Sequence, residues 1–256
     1  MSGAPVALDL TGRVALVTGG SRGIGRAVAL LLARLGADVG ITYHSRAADA
    51  EAVTRAIRAL GRKAFAVGGD LAEAAVVERV FREFRACFGR LDCFVANAGI
   101  WPAESVPVRD LPGERWRRTL AANLDAVFLS TRAALRMMGP GGRVVLLGST
   151  AGQRGEAGHA DYAATKGAIH ALTKSLAVEA APGVAVNCVA PGWVDTEMSA
   201  GALAGAGGGA IVAGIPLGRV ASAEDVAGPV AFLLSDLARH ITGEVLNVNG
   251  GSVLCG

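Results

Sequence analysis

Residues 14–25 read VALVTGGSRGIG, an apolar run followed at once by a glycine-rich turn. The run at 14–17 has the length and continuous hydrophobicity of a buried strand. The glycines after it permit a tight turn and let backbone amides and a helix N-terminus approach a pyrophosphate. The stretch therefore predicts a dinucleotide-binding turn between a first strand and a first helix.

The rest of the chain repeats this unit, because short apolar runs alternate with longer segments of helical periodicity. Such runs suit parallel strands covered on both faces, and the alternation implies right-handed βαβ units. We predict an α/β fold: a single doubly wound parallel sheet (a Rossmann fold), with helices on both faces, in one domain spanning 1–256. The predicted strands are 14–17, 39–43, 64–67, 93–96, 144–147, 184–189 and 245–248, and the predicted helices lie near 23–35, 46–60, 72–88, 113–138, 160–180 and 223–235.

Composition limits the function classes. Of the 256 residues 52% are hydrophobic and 18% are charged, which is typical of a globular protein. A net charge of +3 with scattered arginines does not indicate a nucleic-acid surface. The four cysteines and four histidines form no ligand-like cluster, so we expect reduced, mostly buried thiols and no metal. Residues 1–12 show no signal-peptide pattern, so we expect a cytoplasmic protein.

One segment is long enough to be checked as a membrane span. Residues 198–218 carry no charge over 21 positions, but they include seven glycines and Pro216, and their apolar residues are mostly alanine. We interpret the segment as a mobile glycine-rich loop. Its position beyond the carboxyl edge of the predicted sheet favours a substrate lid at about 195–218 over a dispensable surface loop.

Tyr162 and Lys166 lie four residues apart in a predicted helix and therefore share one face. The phenol of tyrosine has an ordinary pKa of about 10, and a nearby ammonium charge lowers that pKa. Ser149 precedes Tyr162 by 13 residues and can hydrogen-bond the same substrate oxygen from another element. The three residues predict protonation of a carbonyl group as hydride reaches its carbon.

Taken together, these motifs resemble the short-chain dehydrogenase/reductase family over residues 13–251. The resemblance implies that Tyr162 is the general acid in reduction and the base in oxidation. It implies that Lys166 lowers the pKa of Tyr162 and binds the nicotinamide ribose, while Ser149 polarises the substrate carbonyl. It also implies that Asn123 holds a water that links Lys166 to solvent. The residues that carry the resemblance are the TGGSRGIG turn, Asn97-Ala98-Gly99, Asn123, Ser149, the YAATK segment at 162–166 and Pro191-Gly192.

The same resemblance implies a nicotinamide dinucleotide site. Asp70 would contact the adenine amino group, and residues 97–99 would stabilise the sheet and flank the adenosine. Thr196 would reach the carboxamide or the phosphates. The implied cofactor contacts are Gly19, Ser21, Gly23, Ile24, Gly25, Asp70, Leu71, Asn97, Ala98, Gly99, Tyr162, Lys166, Pro191, Gly192, Val194 and Thr196.

The end of the second predicted strand bears on the choice of cofactor. A carboxylate there would bind the ribose 2′-hydroxyl and repel a 2′-phosphate, but residues 41–46 read ITYHSR without an acid. Arg22 lies in the glycine turn near the same ribose. The guanidinium groups of Arg22 and Arg46 and the hydroxyl of Ser45 suit a 2′-phosphate, so we predict NADP(H) over NAD(H). The alternative is that Arg46 merely begins a solvated helix.

Among family members the chain looks most like 3-oxoacyl-acyl-carrier-protein reductases, through its turn at 215–219 and its ending at 242–251. An acidic carrier protein needs a basic docking patch. The places where such reductases commonly carry basic residues read MGPGG at 138–142 and AAPG at 180–183, with only Arg136 and Arg143 nearby. The substrate is therefore either a 3-oxoacyl thioester or a free ketone, sugar or secondary alcohol.

Two further expectations concern class and assembly. A dinucleotide-sensing regulator without turnover would usually lack the tyrosine or the lysine, and both are present. The helices predicted at 113–138 and 160–180 have wide apolar faces, and the family commonly forms tetramers through these helices. We therefore predict a homotetramer; the alternative is that both faces only cover the sheet. The apolar residues concerned are Leu120, Leu124, Val127, Phe128, Ile169, Leu172 and Leu176.

Overall fold

Seven parallel strands form one sheet in the computed structural model of the chain, which describes residues 8–205 and 207–255. The first seven residues, for which no signal peptide is expected, lie outside the described residues, as do Ala206 of the predicted lid and Gly256. The strands lie in the order β3-β2-β1-β4-β5-β6-β7. They are β1 (Val14–Val17), β2 (Asp38–Tyr43), β3 (Ala64–Gly68), β4 (Cys93–Ala96), β5 (Gly142–Leu147), β6 (Val184–Pro191) and β7 (Val245–Val248).

The sheet is doubly wound, which confirms the predicted fold class. The chain builds outward from β1 to β3 and then crosses back to place β4 on the other side of β1. Val17 pairs with Ile41 of β2 and Val95 of β4, so the carboxyl ends of the three strands are level. A crevice at this reversal point is where open α/β sheets bind ligands.

Helices cover both faces of the sheet. Alternate strand residues point to opposite faces: Val17 and Ile41 pack in the layer under α1, α2 and α10, whereas Leu16 and Phe94 pack under α3, α5 and α7. The helices are α1 (Gly23–Arg34), α2 (Ala47–Ala59), α3 (Ala74–Phe88), α4 (Gly113–Leu120), α5 (Ala126–Met137), α6 (Ala151–Arg154), α7 (Ala160–Glu179), α8 (Ala200–Ala204), α9 (Gly208–Ala213) and α10 (Ala223–Leu234), with 3₁₀ turns at Val108–Asp110 and Asp236–Ala238.

The long helix predicted at 113–138 is interrupted by a π-helical segment, Ala121–Asp125, between α4 and α5. Such single-turn π segments often lie at functional sites. Asn123, at the centre of the segment, is fully buried and binds the backbone of Ile100 on both sides of its amide. Its Oδ1 accepts from the Ile100 N–H at 2.7 Å, and its Nδ2 donates to the Ile100 carbonyl at 2.8 Å. A helical periodicity cannot reveal this contact because Ile100 lies in a separate loop.

The segment predicted to be a mobile loop contains two short helices instead. Alanine, the strongest helix former, supplies much of α8 and α9, while the surrounding glycines keep both short. A β-bridge between Val194 and Ala221 brings the two ends of the segment together, so the residues between them form a closed loop. Within the described residues, no helix has the length and hydrophobicity to cross a membrane.

The cysteines and histidines were predicted to form no metal site. Over residues 8–205 and 207–255, no group of three histidine, cysteine or acidic side chains lies close enough to hold a metal ion. All four cysteines are free thiols: Cys93 and Cys188 are buried, Cys87 is half-buried and Cys255 is exposed. The expectation of mostly buried thiols is therefore correct for two of the four.

Candidate active site

A cleft of about 600 Å³ is lined by the residues that follow β1, β2, β3, β4, β5 and β6. Every cofactor contact predicted from the sequence lines this cleft, as do three of the four predicted catalytic residues, Ser149, Tyr162 and Lys166. Asn123 alone among the predicted site residues lies outside the lining, buried behind Ile100. The structure therefore brings together segments that are more than 170 residues apart in the chain.

The glycine turn after β1 is clamped against the segment after β4. The hydroxyl of Thr18 accepts hydrogen bonds from the N–H groups of Asn97 (2.9 Å) and Ala98 (3.0 Å). The Asn97 amide donates to the Thr18 carbonyl at 2.9 Å. Gly19 has φ of +64°, a left-handed conformation that favours glycine, and a Cβ on Gly25 would collide with the Gly19 carbonyl. These constraints hold the turn in a single shape beside the cleft.

The N-terminus of α1 faces the same cleft without a cap. Arg22 precedes the helix, no side chain in the described part of the chain caps it, and its first turn contains no acid. The first N–H groups of a helix have no partner within the helix and carry partial positive charge. They suit a pyrophosphate, so the turn and the helix fit the dinucleotide that the motif predicts.

The two arginines of the predicted 2′-phosphate pocket meet on one carboxylate. Arg22 Nη1 lies 2.8 Å and Arg46 Nη2 lies 3.3 Å from the same oxygen, Oε2 of Glu197. The hydrogen bond from Arg22 lowers the pKa of Glu197. Ser45 lines the cleft beside them. Sequence reasoning missed Glu197, because an acid that directly precedes the uncharged stretch at 198–218 does not by itself indicate which residues it contacts.

The predicted catalytic residues lie at the opposite end of the cleft. Tyr162 is half-buried in the first turn of α7, and Lys166 is buried one turn further on. Lys166 Nζ donates to the Leu147 carbonyl at 2.8 Å and lies 5.6 Å from the centre of the Tyr162 ring. Ser149 follows β5, and its Oγ accepts from the Ala151 N–H at 3.1 Å.

The pKa of Tyr162 differs from the prediction. Burial raises it to about 12; a hydrogen bond with Ser149 opposes this rise, and the charge of Glu156 adds to it. Burial also lowers the pKa of Lys166 to about 8, and the Lys166 charge is not among the effects that shift the Tyr162 pKa. The prediction from the sequence rested on the lysine charge, whereas burial of Tyr162 has the larger effect on its pKa. Tyr162 therefore keeps its proton at neutral pH.

A buried ion pair holds Asp161, the residue that directly precedes Tyr162. Asp161 is fully buried and accepts hydrogen bonds from Arg115 Nε at 3.1 Å and from the Thr119 hydroxyl at 2.9 Å. Burial alone raises the pKa of Asp161, but these hydrogen bonds outweigh it and lower the pKa overall. The contacts tie α4 to the first turn of α7. Nothing in the sequence marked Arg115, because it resembles the neighbouring exposed arginines of its helix.

An aromatic group that sequence reasoning missed includes two tryptophans, Trp101 and Trp193, that line the same cleft as Tyr162. The Trp101 ring stacks on His159 with centroids 4.7 Å apart and meets Trp193 edge-on at 5.8 Å. The Trp101 indole donates to Glu156 Oε1 at 3.1 Å, which is itself 3.5 Å from His159 Nδ1. Trp193 directly follows the predicted cofactor segment Pro191-Gly192, and Trp101 lies two residues after Gly99; this proximity is the signal that could have indicated them.

Known proteins are similar to this chain along most of its length. The family described as Enoyl-(Acyl carrier protein) reductase matches residues 19–252. An uncharacterised oxidoreductase of Methylorubrum extorquens is 42% identical over 245 residues, covering 94% of this chain and 98% of the relative. The 3-oxoacyl-acyl-carrier-protein reductase of Escherichia coli is 40% identical over 247 residues, covering 95% of this chain and 98% of the relative.

A solved structure gives the same result. The short-chain dehydrogenase of Burkholderia cenocepacia, crystallised in complex with NADP, is 41% identical with a TM-score of 0.89, covering 95% of this chain and 98% of that one. Fold and site define an oxidoreductase with a doubly wound sheet. The chain belongs to the short-chain dehydrogenase/reductase family, which confirms the resemblance found in the sequence.

Proposed function

We propose that this enzyme interconverts a carbonyl group and a secondary alcohol with NADP(H), and that a 3-oxoacyl thioester is its first candidate substrate. The observation that carries the proposal is that Ser149, Tyr162 and Lys166 line the same cleft as the glycine turn and the uncapped N-terminus of α1. A proton donor and a dinucleotide site that share one cleft are what carbonyl reduction needs.

The residues of the chain divide the work as follows. NADP(H), when bound, supplies or accepts the hydride. In reduction the Tyr162 hydroxyl donates its proton to the carbonyl oxygen, while the Ser149 hydroxyl donates a hydrogen bond to that oxygen. Lys166 binds the nicotinamide ribose and, in its protonated form, resupplies Tyr162. Asn123 holds the Ile100 loop through its side chain and orders the π segment that packs against α7.

The raised pKa of Tyr162 keeps the phenol in the protonated form that reduction needs. A phenol with a pKa of about 12 is protonated at neutral pH, so it is ready to act as an acid. Oxidation requires the phenolate, which is scarce at the same pH. The protonation state of Tyr162 at neutral pH is therefore the one that carbonyl reduction uses.

Two arginines and a strand end without an acid support NADP(H) over NAD(H). Arg22 and Arg46 converge at the ribose end of the cleft, and the strand end at 41–46 carries no acid to bind a 2′-hydroxyl. Guanidinium groups bind phosphate oxygens strongly. A relative from Burkholderia cenocepacia was crystallised with NADP, which agrees with this assignment. We propose Gly19, Ser21, Gly25 and Asp70 as further contacts.

Acyl-thioester chemistry is supported by the relative from Escherichia coli, whose name states that activity. An acyl carrier protein as the form of the substrate has weaker support. Arg143 is buried and pairs with Asp236 at 3.4 Å, which leaves Arg136 as the exposed base near the expected docking place. Val178, near the end of α7, is 79% exposed and presents an apolar surface there.

A free ketone, sugar or secondary alcohol is therefore the second candidate. The specific observation in its favour is the pair of tryptophans, Trp101 and Trp193, which line the cleft beside Tyr162 and offer flat apolar contacts to a compact substrate. A regulator without turnover is disfavoured because Tyr162 and Lys166 are both present.

The test is an absorbance assay at the nicotinamide band with NADPH and, separately, NADH. Acetoacetyl-coenzyme A, an acetoacetyl carrier protein and simple ketones serve as substrates. Turnover of either thioester with NADPH supports the first candidate, and a preference for the carrier-bound form would establish docking. Turnover of ketones alone moves the enzyme to the second candidate. Tight cofactor binding without any turnover would support the regulator.

We also propose that the enzyme is a homotetramer associating through the α4–α5 and α7 helices. Val127 and Ile169 are used in the core, but Phe128 remains 47% exposed and Trp116 38% exposed on the outer surface. Large exposed apolar side chains on one helix pair favour an interface. Size-exclusion chromatography with light scattering tests this; a monomeric mass at micromolar concentration contradicts it.

A further inference from the structure

Glu197 stands where the 2′-phosphate of NADP(H) is expected to bind. Its Oε2 lies 2.8 Å from Arg22 Nη1 and 3.3 Å from Arg46 Nη2, and all three side chains line the cleft. One anionic oxygen held by two guanidinium groups is the contact that a phosphate oxygen makes. Glu197 belongs to the predicted lid, whereas both arginines belong to the cofactor half of the cleft.

We propose that Glu197 is a specificity-determining residue: it competes with the 2′-phosphate for Arg22 and Arg46 and thereby limits the preference for NADP(H) over NAD(H). The proposal rests on the proposed function, because it concerns the same 2′-phosphate site. It goes further by assigning a role to a residue outside the glycine turn and the strand end.

Charge explains the competition. A phosphate monoester carries a charge of about −1.5 to −2 at neutral pH, so bringing it to the two arginines places it next to the Glu197 carboxylate. Either the two anions share the arginines and repel one another, or the carboxylate is displaced. The side chains of Arg22 and Glu197 are 47% and 59% exposed, and ion pairs this exposed are weak. A phosphate can therefore displace Glu197, but removing the carboxylate makes phosphate binding stronger in both cases.

The same carboxylate does not oppose NAD(H). The ribose of NAD(H) carries a neutral 2′-hydroxyl at this place, and a carboxylate can accept its hydrogen bond. Replacing Glu197 by glutamine keeps the size and the acceptor oxygen while removing the charge. The Glu197→Gln substitution therefore discriminates between the two cofactors through charge alone.

Asp49 offers a matched control. Its Oδ2 lies 3.7 Å from Arg46 Nη1, but it belongs to the first turn of α2 and does not line the cleft. The Asp49→Asn substitution also removes one negative charge beside Arg46. A general change in local charge would affect both variants, whereas competition within the site affects only Glu197→Gln.

The experiment measures calorimetric dissociation constants for two probes, 2′,5′-ADP and 5′-AMP, which differ by the 2′-phosphate. For Glu197→Gln we expect 2′,5′-ADP to bind about 3- to 10-fold more tightly than to the wild type, with 5′-AMP changed less than about twofold. For Asp49→Asn we expect less than about a twofold change for either probe. The gain should shrink in 1 M salt, because exposed charges are screened.

The outcomes separate the two proposals. An unchanged or weaker affinity of Glu197→Gln for 2′,5′-ADP overturns the competition, as does an equal gain in Asp49→Asn. A wild-type enzyme that binds both probes equally contradicts the NADP(H) assignment instead. If the wild type shows no preference but Glu197→Gln does, the cofactor preference fails while the competition stands. Equal melting temperatures of the three proteins establish that all are folded.

Discussion

The two halves of the cleft are built in different ways. The cofactor half consists of backbone: a glycine turn in a left-handed conformation, an uncapped helix N-terminus, and Asn97 clamped to Thr18. The substrate half consists of side chains from separate segments. There, Trp101 contacts both Glu156 and Trp193. Backbone sites require particular residue types, whereas side-chain sites require only that distant loops meet. The sequence therefore indicated the first half and the residues Ser149, Tyr162 and Lys166 of the second, but not the tryptophans or Glu156.

The largest expected effect is a loss of catalysis without a loss of cofactor binding. Tyr162→Phe removes the proton donor, and general acid catalysis typically contributes about 100- to 10,000-fold, so we expect kcat to fall by that factor. The dissociation constant for NADPH should change little, because the glycine turn and α1 are untouched. A variant that keeps a tenth or more of the wild-type kcat would show that another group donates the proton.

The next effect concerns the buried Arg115–Asp161 ion pair next to Tyr162 and its contribution to the stability of the fold. Arg115→Ala leaves the buried carboxylate of Asp161 without its charged partner, and such losses cost about 3–5 kcal/mol of unfolding free energy. Urea unfolding followed by circular dichroism measures this cost. Arg109→Ala is the control, because Arg109 is 85% exposed in its pair with Asp110 and should change stability by less than about 1 kcal/mol. Equal effects would show that the Asp161 pair is not special.

A smaller effect tests the backbone construction of the cofactor half. Gly25→Ala places a Cβ against the Gly19 carbonyl and the Asn97 amide, and overpacking of this kind costs about 1–3 kcal/mol. We expect weaker NADPH binding together with reduced stability. Gly228→Ala is the matched control, since no atom lies within 4 Å of its added Cβ in α10. That substitution should stabilise the fold by about 0.5–1 kcal/mol. An unchanged NADPH affinity in Gly25→Ala would contradict the close approach.

The smallest effect concerns pH. The charge of Glu156 contributes to raising the pKa of Tyr162, so Glu156→Gln should lower that pKa. Oxidation needs the phenolate, so its rate should rise with pH towards the Tyr162 pKa of about 12, and Glu156→Gln should shift this rise to lower pH. Reduction needs the phenol and should stay level through neutral pH in both proteins. Initial rates of alcohol oxidation between about pH 7 and pH 10, roughly five to two units below that pKa, measure the shift.

Glu114→Gln, on the exposed side of α4, serves as the control for this shift because it removes a carboxylate outside the cleft. It should leave the profile unchanged. A profile of Glu156→Gln that coincides with the wild type would mean that the Glu156 charge does not contribute to the Tyr162 pKa.

Several parts of the fold were predictable to within two residues. The strands and most helices have the expected bounds, since near-continuous apolar runs and 3.6-residue periodicity reflect burial against the sheet. The π segment at Ala121–Asp125 was not predictable, because the bond that accompanies it joins Asn123 to a loop distant in sequence. The helices α8 and α9 were missed because the many glycines of the segment favoured the prediction of a loop, although its alanines favour helix.

The sequence by itself determined the doubly wound sheet, the dinucleotide turn and the residues Ser149, Tyr162 and Lys166, because each depends on local pattern or on residue type at short spacing. Only the tertiary structure decided that Glu197 joins Arg22 to Arg46, that Arg115 supports Asp161, and that burial raises the Tyr162 pKa to about 12. Ion pairing and desolvation depend on which segments meet in space and how much water they exclude. Those quantities exist only once the chain is folded.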